Sequence, residues 1–150
     1  MSNAIYDVAR KMLLDGQLIW DSSSTNIGVC LIGDGYGSPS ISSPTASLAD
    51  IPVTNRLNGA EGDQGVIFTN AISTTEGAAD AEDVTFHTVP LPSPAQDVKA
   101  VYIYKKGSTT DETQMKSILW LDSATGLPIT PNGGDIIVTW DGGVNKIFRP

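Results

Sequence analysis

The chain has 150 residues, 40% of them hydrophobic and 17% charged, with 15 Gly, 9 Pro, one Cys and one His. That is one domain's worth of chain with enough apolar content to bury a core, which excludes a disordered tail. A lone Cys excludes a disulfide framework or thiolate zinc cluster, and no apolar run approaches the ~20 residues of a membrane-spanning helix. A formal net charge of −8 argues against nucleic acid as the main partner, because phosphate binding relies on Lys and Arg.

The first predicted element is a short helix within an N-terminal arm, residues 1–16. Asn3 is placed to cap it, Ile5, Val8, Met12 and Leu13 share one side, and Gly16 ends it. Met1-Ser-Asn-Ala-Ile5 lacks the basic start and apolar core of a secretory signal, and no Asn-x-Ser/Thr acceptor occurs. Synthesis in a reducing cytoplasm is the expectation.

From residue 17 the period changes from 3.6 to 2. Leu18–Trp20 and Ile27–Ile32 read as strands around a polar loop at 21–26, followed by an irregular segment, 33–50, rich in Gly, Ser and Pro. One helical turn is expected at Ser47–Ile51, before Pro52. Further strands are predicted at Gly65–Ile72, Asp83–Val89, Val98–Lys105, Lys116–Leu121, Asp135–Trp140 and Lys146–Phe148. Asp141-Gly-Gly143 predicts a hairpin in which Ile136–Trp140 returns as Lys146–Phe148. About eight short strands make the expected fold a single mainly-β domain over 17–150, an antiparallel β-sandwich or jelly roll with a short N-terminal helix.

Signals for chemistry are sparse. His87 sits inside an alternating strand, where a cross-strand surface or core role is the expectation. Cys30 shares a strand face with Gly28 and Ile32, has no basic neighbour in sequence and lacks a glycine-rich nucleophile turn, so a buried inert thiol is expected. Neither Asp80-Ala-Glu-Asp83 nor Gly33-Asp-Gly-Tyr-Gly37 reproduces an EF-hand loop, and no Lys-Ser/Thr follows the latter to make a phosphate cradle. No cofactor or metal is expected, and no enzyme activity. Lys105-Lys106 reads as a solubility or edge-guarding pair.

Trp20, Trp120 and Trp140 each lie near an Asp at a strand end. They close the core with their N–H groups on loop carbonyls, or else form an exposed sugar-binding platform.

The run Leu121-Asp-Ser-Ala-Thr-Gly-Leu-Pro-Ile-Thr-Pro-Asn-Gly-Gly-Asp-Ile-Ile-Val-Thr-Trp-Asp-Gly-Gly-Val-Asn-Lys-Ile-Phe-Arg149 resembles the ending of small virion proteins of tailed bacteriophages, of the head decoration or cement type. Ile5-Tyr-Asp7, Arg10, Leu14-x-Gly16, Trp20, Asp80–Phe86 and Val101–Lys105 fit the same pattern, whereas 35–45, 58–65, 109–114 and Pro90–Pro94 depart from it. The resemblance implies a non-enzymatic protein that decorates and stabilises the capsid surface, with the major capsid protein and its own copies, as a homotrimer, for partners. It implies no nucleic-acid or membrane partner. An acidic chain suits the outer face, away from packaged DNA. Ile5, Val8 and Met12 on the helix, and Tyr36 in the long loop, are the expected subunit contacts. The alternative is a tail- or fibre-associated module that recognises a host glycan through the tryptophans.

Overall fold

A computed structural model gives the structure, which describes residues 3–20, 26–68, 71–74, 77–143 and 146–150. The two longest interior strands organise it. β2 (Ile27–Gly33) is buried at every position, as a near-continuous apolar strand covered on both faces must be. It pairs antiparallel with β7 (Val98–Lys105), from Ile27 opposite Lys105 to Ile32 opposite Ala100. β8 (Ser117–Leu121) continues the sheet beyond β7, β1 (Ala4–Ile5) adds one edge and β3 (Val66–Ile67) the other, so the order is β1-β8-β7-β2-β3.

Two ribbons complete the strands among the described residues: β4 (Ile72–Ser73) with β5 (Ala79–Asp80), and β6 (Val84–Phe86) with β9 (Ile136–Val138). The fold is mainly β and antiparallel, with one short helix, α1 (Asp7–Leu14). Pairing gives one principal sheet and two ribbons, and the two four-stranded sheets of a jelly roll do not appear among the described residues.

Several expectations are corrected by long-range pairing. Asn3 does not cap the helix, because Ala4 and Ile5 are drawn into the sheet opposite Trp120 and Leu119. The helix instead follows Tyr6, whose N–H donates to the Ile118 carbonyl at 2.9 Å. Asn3 Oδ1 accepts from the backbone N–H groups of Asp122 and Ser123, capping the turn after β8.

The C-terminal hairpin does not form either. β9 takes β6 as its partner, with Phe86 opposite Ile136, and this buries Val84 and Phe86. The Asp141–Gly143 turn exists, held by the Gly143 N–H on Asp141 Oδ1, but Phe148 returns to Ala79 instead of to β9. Leu18–Trp20 is not a strand, and of the expected Gly65–Ile72 strand only β3 and the start of β4 are paired. Parts of the predicted loop at 21–26 and of the predicted strands and connections at 69–70, 75–76 and 144–145 lie outside the described residues. The single turn near Ser47–Ile51 is present as a 3-10 turn, Leu48–Asp50.

Two glycines let backbone and ring approach closely. A Cβ on Gly28 would stand 2.3 Å from the Tyr104 Cζ, so the ring occupies the space a side chain would need. Gly65, at φ +72, would put a Cβ 2.0 Å from the Val29 carbonyl oxygen. Tyr104 donates to the Gln64 carbonyl at 2.5 Å and stacks on Tyr102, with ring centroids 5.9 Å apart.

The irregular 46–65 segment is pinned by Arg56, which is 8% exposed. Its Nε donates to the Ile51 carbonyl, Nη2 to the Leu48 carbonyl and Nη1 to the Asp63 carbonyl. Both terminal nitrogens also reach the two carboxylate oxygens of Glu112, each at 2.9 Å. This bidentate geometry is what a desolvated guanidinium requires.

Glu112→Gln leaves Arg56 buried without its counter-charge, and the expected loss is about 3–5 kcal/mol in urea unfolding. The Arg56 hydrogen bonds hold the Glu112 carboxyl below its ordinary pKa. Its contribution is therefore complete above the unfolded value of about 4.3 and is lost as pH falls through the folded value. The wild-type urea midpoint should drop more steeply on acidification than that of Glu112→Gln. Parallel slopes would show that the pair contributes nothing.

Candidate functional site

The residues with chemical potential sit apart and are each committed to the frame. Cys30 is fully buried in β2, and its Sγ lies 3.5 Å from the Asn58 Nδ2. Burial pushes the thiol up to about 12, with the Asn58 hydrogen bond and Arg56 opposing it only in part. A protonated, enclosed thiol is not a nucleophile. Asn58 is a peg: its Oδ1 accepts from the Leu31 N–H and its Nδ2 donates to the Gly62 carbonyl.

His87 has a different partner, the Glu61 carboxylate, whose oxygens stand 3.2 and 3.3 Å from Nδ1. The Glu61 carboxylate also accepts the His87 backbone N–H. Neither Cys30 nor His87 is the other's hydrogen-bond partner.

The acidic stretches are turn-building. Asp80 Oδ1 accepts from the Ala81 N–H and Asp83 Oδ1 from the Trp140 N–H. Among the described residues, no group of three or more His, Cys, Asp or Glu is gathered for a metal ion. The Gly33–Gly37 backbone is likewise spoken for: Gly35 N–H donates to Gln96 Oε1, Asp34 N–H to the Asp97 carbonyl, and Lys99 Nζ to the carbonyls of Tyr36 and Gly37. Lys105 ends β7, an interior strand, and Lys106 follows it, so they guard no edge.

The tryptophans divide. Trp120 is 1% exposed and Trp20 9% exposed. Trp20 donates to the Asp80 carbonyl and Trp140 to the Glu82 carbonyl, whereas Trp120 donates to the Asp122 carboxylate. Trp20 packs on Phe68 and Phe148, and Phe68 on the half-buried Trp140, at centroid distances of 5.2–5.8 Å. A coplanar, exposed platform for a sugar is not built from these rings.

The expected subunit contacts are used mostly within the chain. Val8 and Met12 are each 7% exposed and belong to the protein's own core, because an eight-residue helix is held by its packed face. They have little surface left for a second subunit. Ile5 is half-buried in β1, and Tyr36 is half-buried with its ring 5.9 Å from that of Trp120.

The apolar side chains that do face solvent are others: Leu14, 88% exposed, and Ile19, 52%, at the end of α1 and just after it, with Val53, Leu91 and Ile137 elsewhere. Ile19 borders an apolar groove of about 630 Å³ that Leu13, Leu18, Trp20, Ala79 and Phe148 also line. Periodicity identified the buried side of the helix. It gave no reason to single out Leu14, which lies one position beyond the apolar stripe.

Comparison of the chain with protein-family models, curated proteins and solved structures finds no match.

Native protein should leave Cys30 unmodified by a thiol reagent such as iodoacetamide at neutral pH, with alkylation appearing only as denaturant unfolds the chain. Rapid modification of the folded protein, followed by mass spectrometry, would contradict its placement in β2.

Proposed function

We propose that this chain is a non-enzymatic structural protein of a tailed-phage virion that decorates and stabilises the outer capsid surface as a homo-oligomer, a trimer by analogy with decoration proteins at threefold points. The observation that carries the reading is the Leu121–Arg149 run and its resemblance to the ending of small virion proteins.

The physical role of that run supports it. Ile129 exchanges backbone hydrogen bonds with Val98 at 2.7 and 2.9 Å, Gly133 and Gly134 bond to Val89, β9 pairs with β6, and Phe148 bridges Ala79. The run thus ties together parts of the chain that are distant in sequence. Long-range tying of this kind suits a particle-stabilising protein and needs no reaction centre. The net charge of −8 favours the outside of a DNA-filled shell and keeps free copies soluble before they attach. Partners on this reading are the major capsid protein and further copies of the chain. Leu14 and Ile19 offer the exposed apolar surface for self-association, in place of Val8 and Met12.

Cryo-EM of intact particles should show the protein at regularly repeated points on the outer face of the head, and density confined to the tail overturns the reading. In light scattering the purified protein is expected to be trimeric. The paired substitution Leu14→Asp and Ile19→Asp should shift it to monomer while leaving the melting temperature nearly unchanged. A trimer that survives both substitutions would remove this surface from the contact.

A further inference from the structure

A second cleft, polar where the first is apolar, lies between the 33–50 segment and the sheet face that carries Tyr102, and encloses about 230 Å³. Its floor is Tyr6, Tyr102, Ser47 and Ser117, each no more than 3% exposed. Its mouth carries Tyr36, Ser38, Ser40 and Asp50. Some of these groups are satisfied internally: the Tyr102 hydroxyl and Ser117 Oγ share a 2.6 Å hydrogen bond, and Asp50 Oδ2 accepts the Ser47 N–H at 3.0 Å.

The Tyr6 hydroxyl is instead left to the solvent of the cleft. Tyr6 is 3% exposed, yet its hydroxyl has no hydrogen-bond partner among the described residues. Every fully enclosed side-chain nitrogen or oxygen among those residues does have one. The Tyr6 hydroxyl therefore opens onto the cleft that the residue lines. Packing does not explain the group, because the edge-on contact of its ring with Tyr102, at 6.1 Å and 87°, would be made equally by phenylalanine. A polar group kept at this depth without a protein partner is one that a ligand can satisfy.

The surroundings select the ligand's chemistry. The volume is below the roughly 300–1,000 Å³ of pockets for drug-sized ligands, so the occupant is a single ring or its equivalent. Anions are opposed by Asp50 and by the net charge of −8. A cation would meet Lys99, whose ammonium already sits on the Tyr36 carbonyl and 5.9 Å from the centroid of that ring. Hydroxyl groups both donate and accept, and they match a neutral ligand whose own groups do the same.

We propose that this cleft binds one neutral, pyranose-sized sugar unit, with the Tyr6 and Tyr36 hydroxyls and the open Asp50 oxygen taking the sugar's hydroxyls. Burial, then Tyr36, then Asp50 raise the Tyr6 pKa above its ordinary value, so the phenol remains a protonated donor across the physiological range. No tryptophan lines the cleft, although the Tyr36 ring packs against Trp120, and the proposal stands whether or not the chain belongs to a virion.

The test is titration of ¹⁵N-labelled protein with the methyl glycosides of glucose, galactose, mannose and N-acetylglucosamine, following amide shifts, with n-butylammonium chloride as the competing chemistry. At least one glycoside is expected to saturate in the millimolar range, with shifts centred on 36–50 and on Tyr6, Tyr102 and Ser117. Tyr6→Phe should keep or raise the melting temperature and weaken binding about three- to tenfold, the worth of one neutral hydrogen bond. Asp50→Asn, which retains an acceptor for the Ser47 N–H, should also weaken it. The proposal is overturned if no glycoside saturates, if the shifts map elsewhere, or if n-butylammonium binds more tightly. It also fails if Tyr6→Phe binds as well as wild type, or lowers the melting temperature and so reveals a structural role for the hydroxyl.

Discussion

Arg56 carries the constraint on which the irregular half of the molecule depends. A guanidinium with five donors has been taken almost wholly out of water, and all its acceptors come from the segment it organises and from one distant glutamate. The carbonyls of Leu48, Ile51 and Asp63 are then fixed around a single centre. Chain that has neither helix nor ladder hydrogen bonds over most of its length acquires a defined path. The same residue bridges to Ile32 at the end of β2, so the loop layer and the sheet share one anchor. The cost of desolvating the charge is offset only with every partner in place, which makes the arrangement all-or-none.

What could be read from the sequence follows the range of the interaction involved. β2, β7 and β8 announce themselves because an interior strand is apolar along its own length, and the helix over Asp7–Leu14 because its stripe lies within two turns. The errors fall where a local signal competes with a remote partner. Asn3 has the right chemistry to cap a helix, and it does cap, but the turn it serves is at Asp122 and Ser123. Asp141-Gly-Gly143 has the right chemistry for a hairpin, yet the strand before it is claimed by β6, more than 50 residues earlier. Arg56 gives no signal at all, since nothing near Leu57 or Asn55 points to Glu112.

The candidate site was legible in the same uneven way. The 33–50 segment stands out as long and turn-rich, and composition alone makes it look like a free arm for contacts. In the fold it is a wall: the Gln96 and Lys99 side chains and the Asp97 carbonyl, on and before β7, hold the backbone of its glycine-rich start by hydrogen bonds. Ser47 is thereby buried on the floor of the cleft, with the exposed Ser38 and Ser40 at its mouth. Tyr6 carries no signal of its own in the sequence, because it lies off the helical stripe of Ile5, Val8 and Met12. Its importance comes from β1: once Ala4 and Ile5 pair with β8, the next residue must turn its side chain onto the sheet face beside Tyr102.

The two proposed surfaces are compatible because α1 separates them. Tyr6 precedes the helix at its N-terminus, and Leu14 ends it, eight residues later. At 1.5 Å per residue the two ends stand about 12 Å apart, and Ile19 lies beyond the far one. Self-association through Leu14 and Ile19 would cover the C-terminal end of the helix and leave the Tyr6 cleft open. A ring of copies would then present the cleft several times on one assembly. Millimolar affinity at one site becomes useful attachment when several sites engage a surface together. On that geometry a weak, single-sugar cleft is adequate for an oligomeric surface protein and would be inadequate for a monomer.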